Sequence, residues 1–348
     1  MAAPLLSSNQ TAVGGSEKEL CLLSLDGGGV RGLSSLLILK RLMEAIDPVN
    51  PPKPCDCFDM IGGTSTGGLI ALLLGRLRLT VDECISVYSE LSPKIFTHLH
   101  HRVNLANGKT QGRFDHQALE DGVKSTLAQY HKEPDTLLKE PESIGCKTFV
   151  CATSQQTGGT VVLSSYLNER RGTDMLNVAK IWEAARATSA ATTFFEPITI
   201  NDEGFVDGAT GANNPVKFLL SEARDIWGEP DGHLEDNIKC LVSIGTGIPS
   251  LTPFGPSLKQ VGKALKAIAT NTEQEADIFR KEHTKLFQSG KAFRFNVNRG
   301  LESIGLEEES KWGAIKAATR EYVQSEETHI QIKTCALNLK ERECMLFN

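Results

Sequence analysis

The chain has 348 residues, 40% of them hydrophobic and 23% charged, a composition that excludes low-complexity disorder and fibrous classes. Lys and Arg number 37 against 43 Asp and Glu, a net charge of −6 with no basic run, which argues against nucleic-acid binding and against a polybasic membrane anchor. Nine cysteines scattered singly predict free thiols, and the closest pair, Cys55 and Cys57, has no Cys/His partner pair at zinc-site spacing.

Residues 1–18 are small and polar and are expected to be disordered. They show no basic n-region and no long apolar run, so no secretory signal is legible and a cytoplasmic location is expected. The run LCLLSL (20–25) predicts a buried strand that ends in Asp26 and three glycines. Leu36, Leu39, Met43 and Ile46 follow at helical spacing, and Pro48, Pro51, Pro52 and Pro54 close that helix. FDMIGG (58–63) predicts a second buried strand. TGGLIALLLGRL (66–77) predicts a central helix, apolar almost all round. The uncharged stretch from Met60 to Gly75 is shorter than the roughly 18 residues of a membrane span.

The polar stretch 97–113, with His98, His100 and His101, reads as an exposed loop or flap, and 114–130 as an amphipathic helix. CKTFVCATS (146–154) and TVVLSSY (160–166) are β-rich runs joined through TGG, so they pair or lie side by side. A helix over 179–191 precedes two short strand-like pieces, EPITI and GFVDG, around a turn at Asn201–Gly204. A helix over 213–227 follows, with Pro215 near its first turn, and then the buried strand 238–247. From about 256 the pattern is helical over 258–289, extended over 292–297 and helical again over 309–340, where Trp312, Ile315 and Tyr322 form one apolar stripe. Strands alternating with helices predict an α/β layer structure with a mostly parallel sheet. The expected boundaries are an α/β domain over 19–300 and a helical extension over 301–348, packed on the domain or following it.

Three segments carry chemistry. Asp26-Gly27-Gly28-Gly29-Val30-Arg31-Gly32 lies between a strand and a helix, where bare backbone N–H groups can hold a phosphate or an oxyanion. Gly27, Gly29 and Gly32 also satisfy a dinucleotide fingerprint, but the acid expected about 20 residues on is Asp47, which closes a helix instead of a strand. Gly63-Thr64-Ser65-Thr66-Gly67 matches G-x-S-x-G with a strand before and a helix after, the context of a nucleophile elbow. Its plain alternative is a buried serine in a glycine-rich turn. Phe205-Val206-Asp207-Gly208-Ala209 ends a short strand in an acid and gains meaning only beside the other two, since Asp-Gly alone usually marks a turn. His233, His283 and His329 follow Asp207, but none sits in a glycine-rich strand-end loop, and surface roles are expected for all three. A Ser–Asp dyad is then the economical reading.

Together DGGGVRG (26–32), GTSTGG (63–68) and VDGA (206–209) resemble the patatin-like phospholipase family, with support from RATSAATTFFEP (186–197), NNP (213–215) and SIGTG (243–247). The helix-rich tail is similar to fungal patatin-like domains. The resemblance implies a three-layer α/β/α fold and metal-independent hydrolysis of acyl esters, with no cofactor. Carried onto this chain, it makes Ser65 the nucleophile and Asp207 its proton acceptor, with Gly27, Gly28 and Gly29 as the oxyanion hole. Arg31 would steady that loop or the charged head of the substrate. The implied partner is a lipid ester at a membrane or micelle surface, met by peripheral contact. Three alternatives stay open at this level: acyl transfer by the same dyad, a signalling module switched on by a partner, and a dinucleotide-binding protein.

Overall fold

The structure, a computed structural model, describes residues 19–97, 114–141, 145–191, 194–228, 234–248, 272–302 and 304–346. The expected disordered segment 1–18, the flap over 98–113 with its three histidines, His233 and most of the first half of the helix expected over 258–289 lie outside the described residues.

Among the described residues eight strands form one sheet: β1 (Leu20–Leu25), β2 (Met60–Thr64), β3 (Lys147–Ser154), β4 (Thr160–Ser164), β5 (Ile198–Ile200), β6 (Glu203–Asp207), β7 (Ile238–Ile244) and β8 (Ala292–Phe295). Following hydrogen-bonded neighbours, the path runs β5-β6-β3-β2-β1-β7-β8, and β4 also pairs with β3. The strands β8, β7, β1, β2 and β3 are mutually parallel. The rest of the sheet is antiparallel: β4 and β6 against β3, and β5 against β6. The sheet is therefore mixed, with a parallel centre. The links explain the difference. A parallel return needs a crossover of a dozen residues or more, and β4 follows β3 through a short turn. The link from β5 to β6 is only Asn201 and Asp202, both at positive φ (49° and 65°), as in a tight hairpin turn.

Strand β1 is buried along its whole length, and its side chains alternate between two cores. Cys21, Leu23 and Leu25 face one core, Leu20 and Leu22 the other. Helices that feed the first include α1 (Gly32–Ile46), α3 (Val81–Thr97), α5 (Ile181–Ser189), α7 (Trp312–Gln324) and α8 (Glu326–Leu346), through residues such as Leu36, Val87, Ala184, Ile315 and Leu339. Helix α4 (His116–Gln129) adds Leu119 and Leu127 to the same core. The second core receives α6 (Val216–Trp227) through Val216, Leu219 and Leu220, with Phe279 and Leu286. Helices on both faces of a central sheet make the three layers that were expected. The expected central helix 66–77 divides into α2 (Thr66–Ala71) and a wider π turn over Leu72–Arg76. That turn carries buried Arg76, which donates to the carbonyls of Leu137 and Leu138 and pairs with Glu140.

The register around β3 positions the site. β2 pairs with β3 residues 147–151, and β6 with 152–154. β4 pairs along 149–153, overlapping both, so β2 and β6 must share the opposite edge. They run toward each other and meet end to end: Thr64 lies opposite Cys151 and Asp207 opposite Ala152. The residue after β2 is Ser65.

Candidate active site

Ser65 sits between β2 and α2 with φ 54° and ψ −126°, a conformation that L residues rarely adopt. Two glycines let the chain turn this sharply. A Cβ on Gly63 would stand 2.0 Å from the carbonyl oxygen of Gly67, and one on Gly67 would stand 2.2 Å from that of Leu25. The Ser65 N–H donates to Thr188 Oγ1 (2.9 Å), and Thr188 donates in turn to the Cys151 carbonyl (2.7 Å). The strained turn is therefore tied to α5 and β3.

Ser65 Oγ donates to Asp207 Oδ2 at 2.7 Å. The other carboxylate oxygen, Oδ1, accepts the N–H of Ala209 at 2.8 Å. Asp207 is 4% exposed. Burial pushes its pKa from 3.8 up to about 7, against the opposing pull of the Ala209 and Ser65 hydrogen bonds. A carboxylate poised near neutrality and bonded to a serine hydroxyl can accept that proton. Among the described residues no histidine lines the space around Ser65. His283 bonds Glu235 instead, and His329 lies half-buried on α8.

The glycine loop presents its N–H side because every carbonyl in it is held. The Gly27 carbonyl accepts Thr246 Oγ1 (2.9 Å). The Gly28 carbonyl accepts the Arg31 N–H (3.2 Å). The Gly29 carbonyl accepts two hydroxyls, Tyr88 (2.6 Å) and Thr66 (3.0 Å). Not all three expected donors are free. The Gly27 N–H already donates to the Asn213 carbonyl (3.0 Å), which leaves Gly28 and Gly29 without a protein acceptor among the described residues. Gly29 has φ 56°, and a Cβ there would stand 2.2 Å from the Leu306 carbonyl oxygen, so this position must be glycine.

Charge around the loop is uneven. Asp26, fully buried, pairs with Arg294 (2.6 Å) while burial raises its pKa to about 6. Arg294 also meets Ser243 and Glu273, so the loop is anchored to β7, β8 and the helical residues 272–282. Arg31 is 6% exposed, and no carboxylate is paired with it among the described residues. Its Nη1 has no hydrogen-bond partner there, and burial lowers its pKa to about 10. A buried guanidinium without a counter-charge is costly and favours an incoming anion.

Two compartments of about 50 Å³ each open beside Ser65. One is mixed, with the charged and polar side chains of Arg31, Asp207, Asn213, Thr246, Glu273 and Asn296 in its lining. The other is largely apolar, with Leu69, Tyr88, Ile95, Leu119, Phe194 and Phe195. Asp47, the acid a dinucleotide site would need, is half-buried and holds the Val49 and Asn50 amides of the proline loop.

The family model for "Patatin-like phospholipase" matches residues 23–220, more than half of the chain. The chain belongs to the patatin-like phospholipase family. This patatin-like chain is 26% identical to "Phospholipase A I" of Arabidopsis thaliana over 88% of its own length and 27% of that protein. It is 31% identical to "Calcium-independent phospholipase A2-gamma" of Rattus norvegicus over 73% of itself and 32% of the relative. It is 27% identical to "Patatin-like phospholipase 1" of Plasmodium falciparum over 93% of itself and half of the relative. The chain thus spans half or less of these relatives. Among the described residues no helix is long and apolar enough to cross a membrane.

Sequence reasoning passed over several residues now seen at this site. Thr188 and Asn213 lay inside runs noted only as supporting motifs. Tyr88 reads as one more apolar position on a helix. Leu306 carries no sequence signal at all.

Proposed function

We propose that this patatin-like chain hydrolyses fatty-acyl ester bonds of lipids, phospholipids foremost, through a Ser65–Asp207 dyad. The observation that carries the reading is the 2.7 Å bond from Ser65 Oγ to a buried Asp207 beside a strained elbow. The phospholipase names of its relatives agree with it, as does Arg31, which has no carboxylate partner among the described residues and suits a phosphate or carboxylate.

In this mechanism Ser65 Oγ attacks the ester carbonyl while Asp207 Oδ2 takes the hydroxyl proton. The Gly28 and Gly29 N–H groups receive the oxyanion. As the intermediate collapses, the C–O bond to the alcohol breaks and Asp207 returns the proton to the departing oxygen. Water then gives its proton to Asp207 and attacks the acyl-serine; the bond to Ser65 breaks, Asp207 returns the proton to Ser65 Oγ, and the fatty acid is released. The first carbons of the acyl chain, next to the carbonyl, enter the apolar compartment, and the alcohol portion faces the one lined by Arg31. Substrate reaches Ser65 from a membrane or micelle surface.

A fluorophosphonate probe tests the nucleophile. Labelling of the wild type and none of Ser65→Ala is expected, together with fatty-acid release from phosphatidylcholine micelles in the presence of a chelator. Equal labelling of Ser65→Ala, or full activity in Asp207→Asn, would overturn the reading. Adding glycerol or a lysolipid and following new ester separates hydrolysis from acyl transfer.

A further inference from the structure

The two compartments beside Ser65 share three lining residues: Ser65 itself, Ala191 and Leu306. Ser65 is where the bond is cut, so Ala191 and Leu306 form the partition between the acyl side and the alcohol side. Ala191 is a single methyl. Leu306 is the bulky member, and it comes from the segment just before α7, 241 residues beyond the nucleophile. Its main-chain oxygen accepts the Val30 N–H at 2.8 Å, which fixes its place against the glycine loop. The fit is close: a Cβ on Gly29 would stand 2.7 Å from Leu306 Cβ. Trp312, six residues on, stacks against Tyr88 at 6.5 Å between centroids, and Tyr88 in turn bonds the Gly29 carbonyl. The partition is therefore held at two points.

We infer that Leu306 is a specificity-determining residue that limits bulk at the carbon next to the reacting carbonyl. This deepens the hydrolase reading above and rests on it. A carbonyl at Ser65 Oγ has its α-carbon at the mouth of the apolar compartment, beside the Leu306 side chain. With about 50 Å³ free on that side, an unbranched chain threads past Leu306, while an α-methyl group meets it. Leu306 is only half-buried, and its contact with Val30 is made by main chain, so trimming the side chain leaves the loop's support in place.

Two isomeric probes read this directly: p-nitrophenyl pentanoate and p-nitrophenyl 2-methylbutanoate, compared by kcat/KM. The wild type should prefer the linear isomer at least tenfold beyond their difference in alkaline hydrolysis. Leu306→Ala should narrow that preference at least fivefold, and Leu306→Val should narrow it less. Leu69→Ala, which alters only the apolar compartment, should change preference for chain length and leave the branch ratio within twofold. A branch ratio unchanged in Leu306→Ala, or moved equally by Leu69→Ala, would overturn the inference. If Leu306→Ala does not fold, Leu306→Val and Leu306→Met decide by the same ratio. Fluorophosphonate labelling of every variant keeps the two readings apart. An unlabelled wild type counts against Ser65 as nucleophile, whereas a labelled wild type with an unmoved ratio counts against Leu306 alone.

Discussion

The Asp207 carboxyl is asked to do two opposed things: stay out of water and carry a charge. Burial disfavours the ionised form, so its pKa rises from 3.8 to about 7. A base must be deprotonated to act, and kcat/KM should therefore fall on the acid side with a midpoint near 7, about tenfold per pH unit below it. Initial rates on a neutral ester from pH 5 to 9 check this. The same shift has a cost in stability. The folded carboxyl holds its proton more tightly than the unfolded one, so this group's contribution is full below about pH 4 and is lost as pH rises to about 7. Above that, the penalty is on the order of 4 kcal/mol before relaxation. Asp207→Asn can still accept the Ala209 N–H and carries no charge. It should abolish activity yet raise Tm by a few degrees at pH 8 and by less at pH 5. A lower Tm at pH 8 would show that Asp207 stabilises the fold.

At the scale of elements, the site is a meeting of loop ends held by hydroxyls. Tyr88 on α3 and Thr66 on α2 both donate to the Gly29 carbonyl, orienting the peptide next to the one that carries the Gly29 N–H. Tyr88→Phe keeps the ring and its stack on Trp312 and removes one donor. It should lower kcat about tenfold with KM little changed, less than the 10²–10³ lost when an oxyanion donor itself is removed. A change confined to KM would place Tyr88 in substrate binding instead. How much of this was legible follows the same division. The elbow and the glycine loop are short-range arrangements, and their glycines mark them wherever a strand turns into a helix. The antiparallel arms of the sheet were open to reading too: a five-residue link after β3 and the Asn201–Asp202 turn are too short for a crossover. The Tyr88 hydroxyl and the Leu306 carbonyl were not legible. Nothing distinguishes a core tyrosine, or a leucine before a helix, until the fold brings them to Gly29.

For the whole molecule, the question is whether the tail is a separate body. Ile315, Ile332, Cys335, Ala336 and Leu339 are buried in the same core as α1 and the central strands. Thr319 donates to Ser34 of α1 (2.8 Å), and Cys335 lies 3.7 Å from Cys240 of β7. The stripe of Trp312, Ile315 and Tyr322 was readable as an apolar face, but its partner was not, because α1 lies some 270 residues away in sequence. We expect the boundary drawn at residue 300 not to be a folding boundary. A chain ending at residue 300 loses the Val30 bond to Leu306, the cover on α1 and many buried apolar side chains, each worth about 1.5–3 kcal/mol. It should be insoluble or lack a cooperative melt, whereas a soluble and active truncation would show that 301–348 is an accessory.

The end-to-end meeting of β2 and β6 also sets where heat acts first. Ser65 follows the well-buried parallel centre, but Asp207 is carried by a ladder only three residues long on β3, backed by another of three on β5. Short peripheral ladders open at lower free energy than the body of a sheet. The base should therefore drift from its nucleophile before the domain melts. Inactivation measured at rising temperature should set in several degrees below the calorimetric transition and reverse on cooling. Coincident midpoints would mean that the short arm and the sheet come apart as one unit.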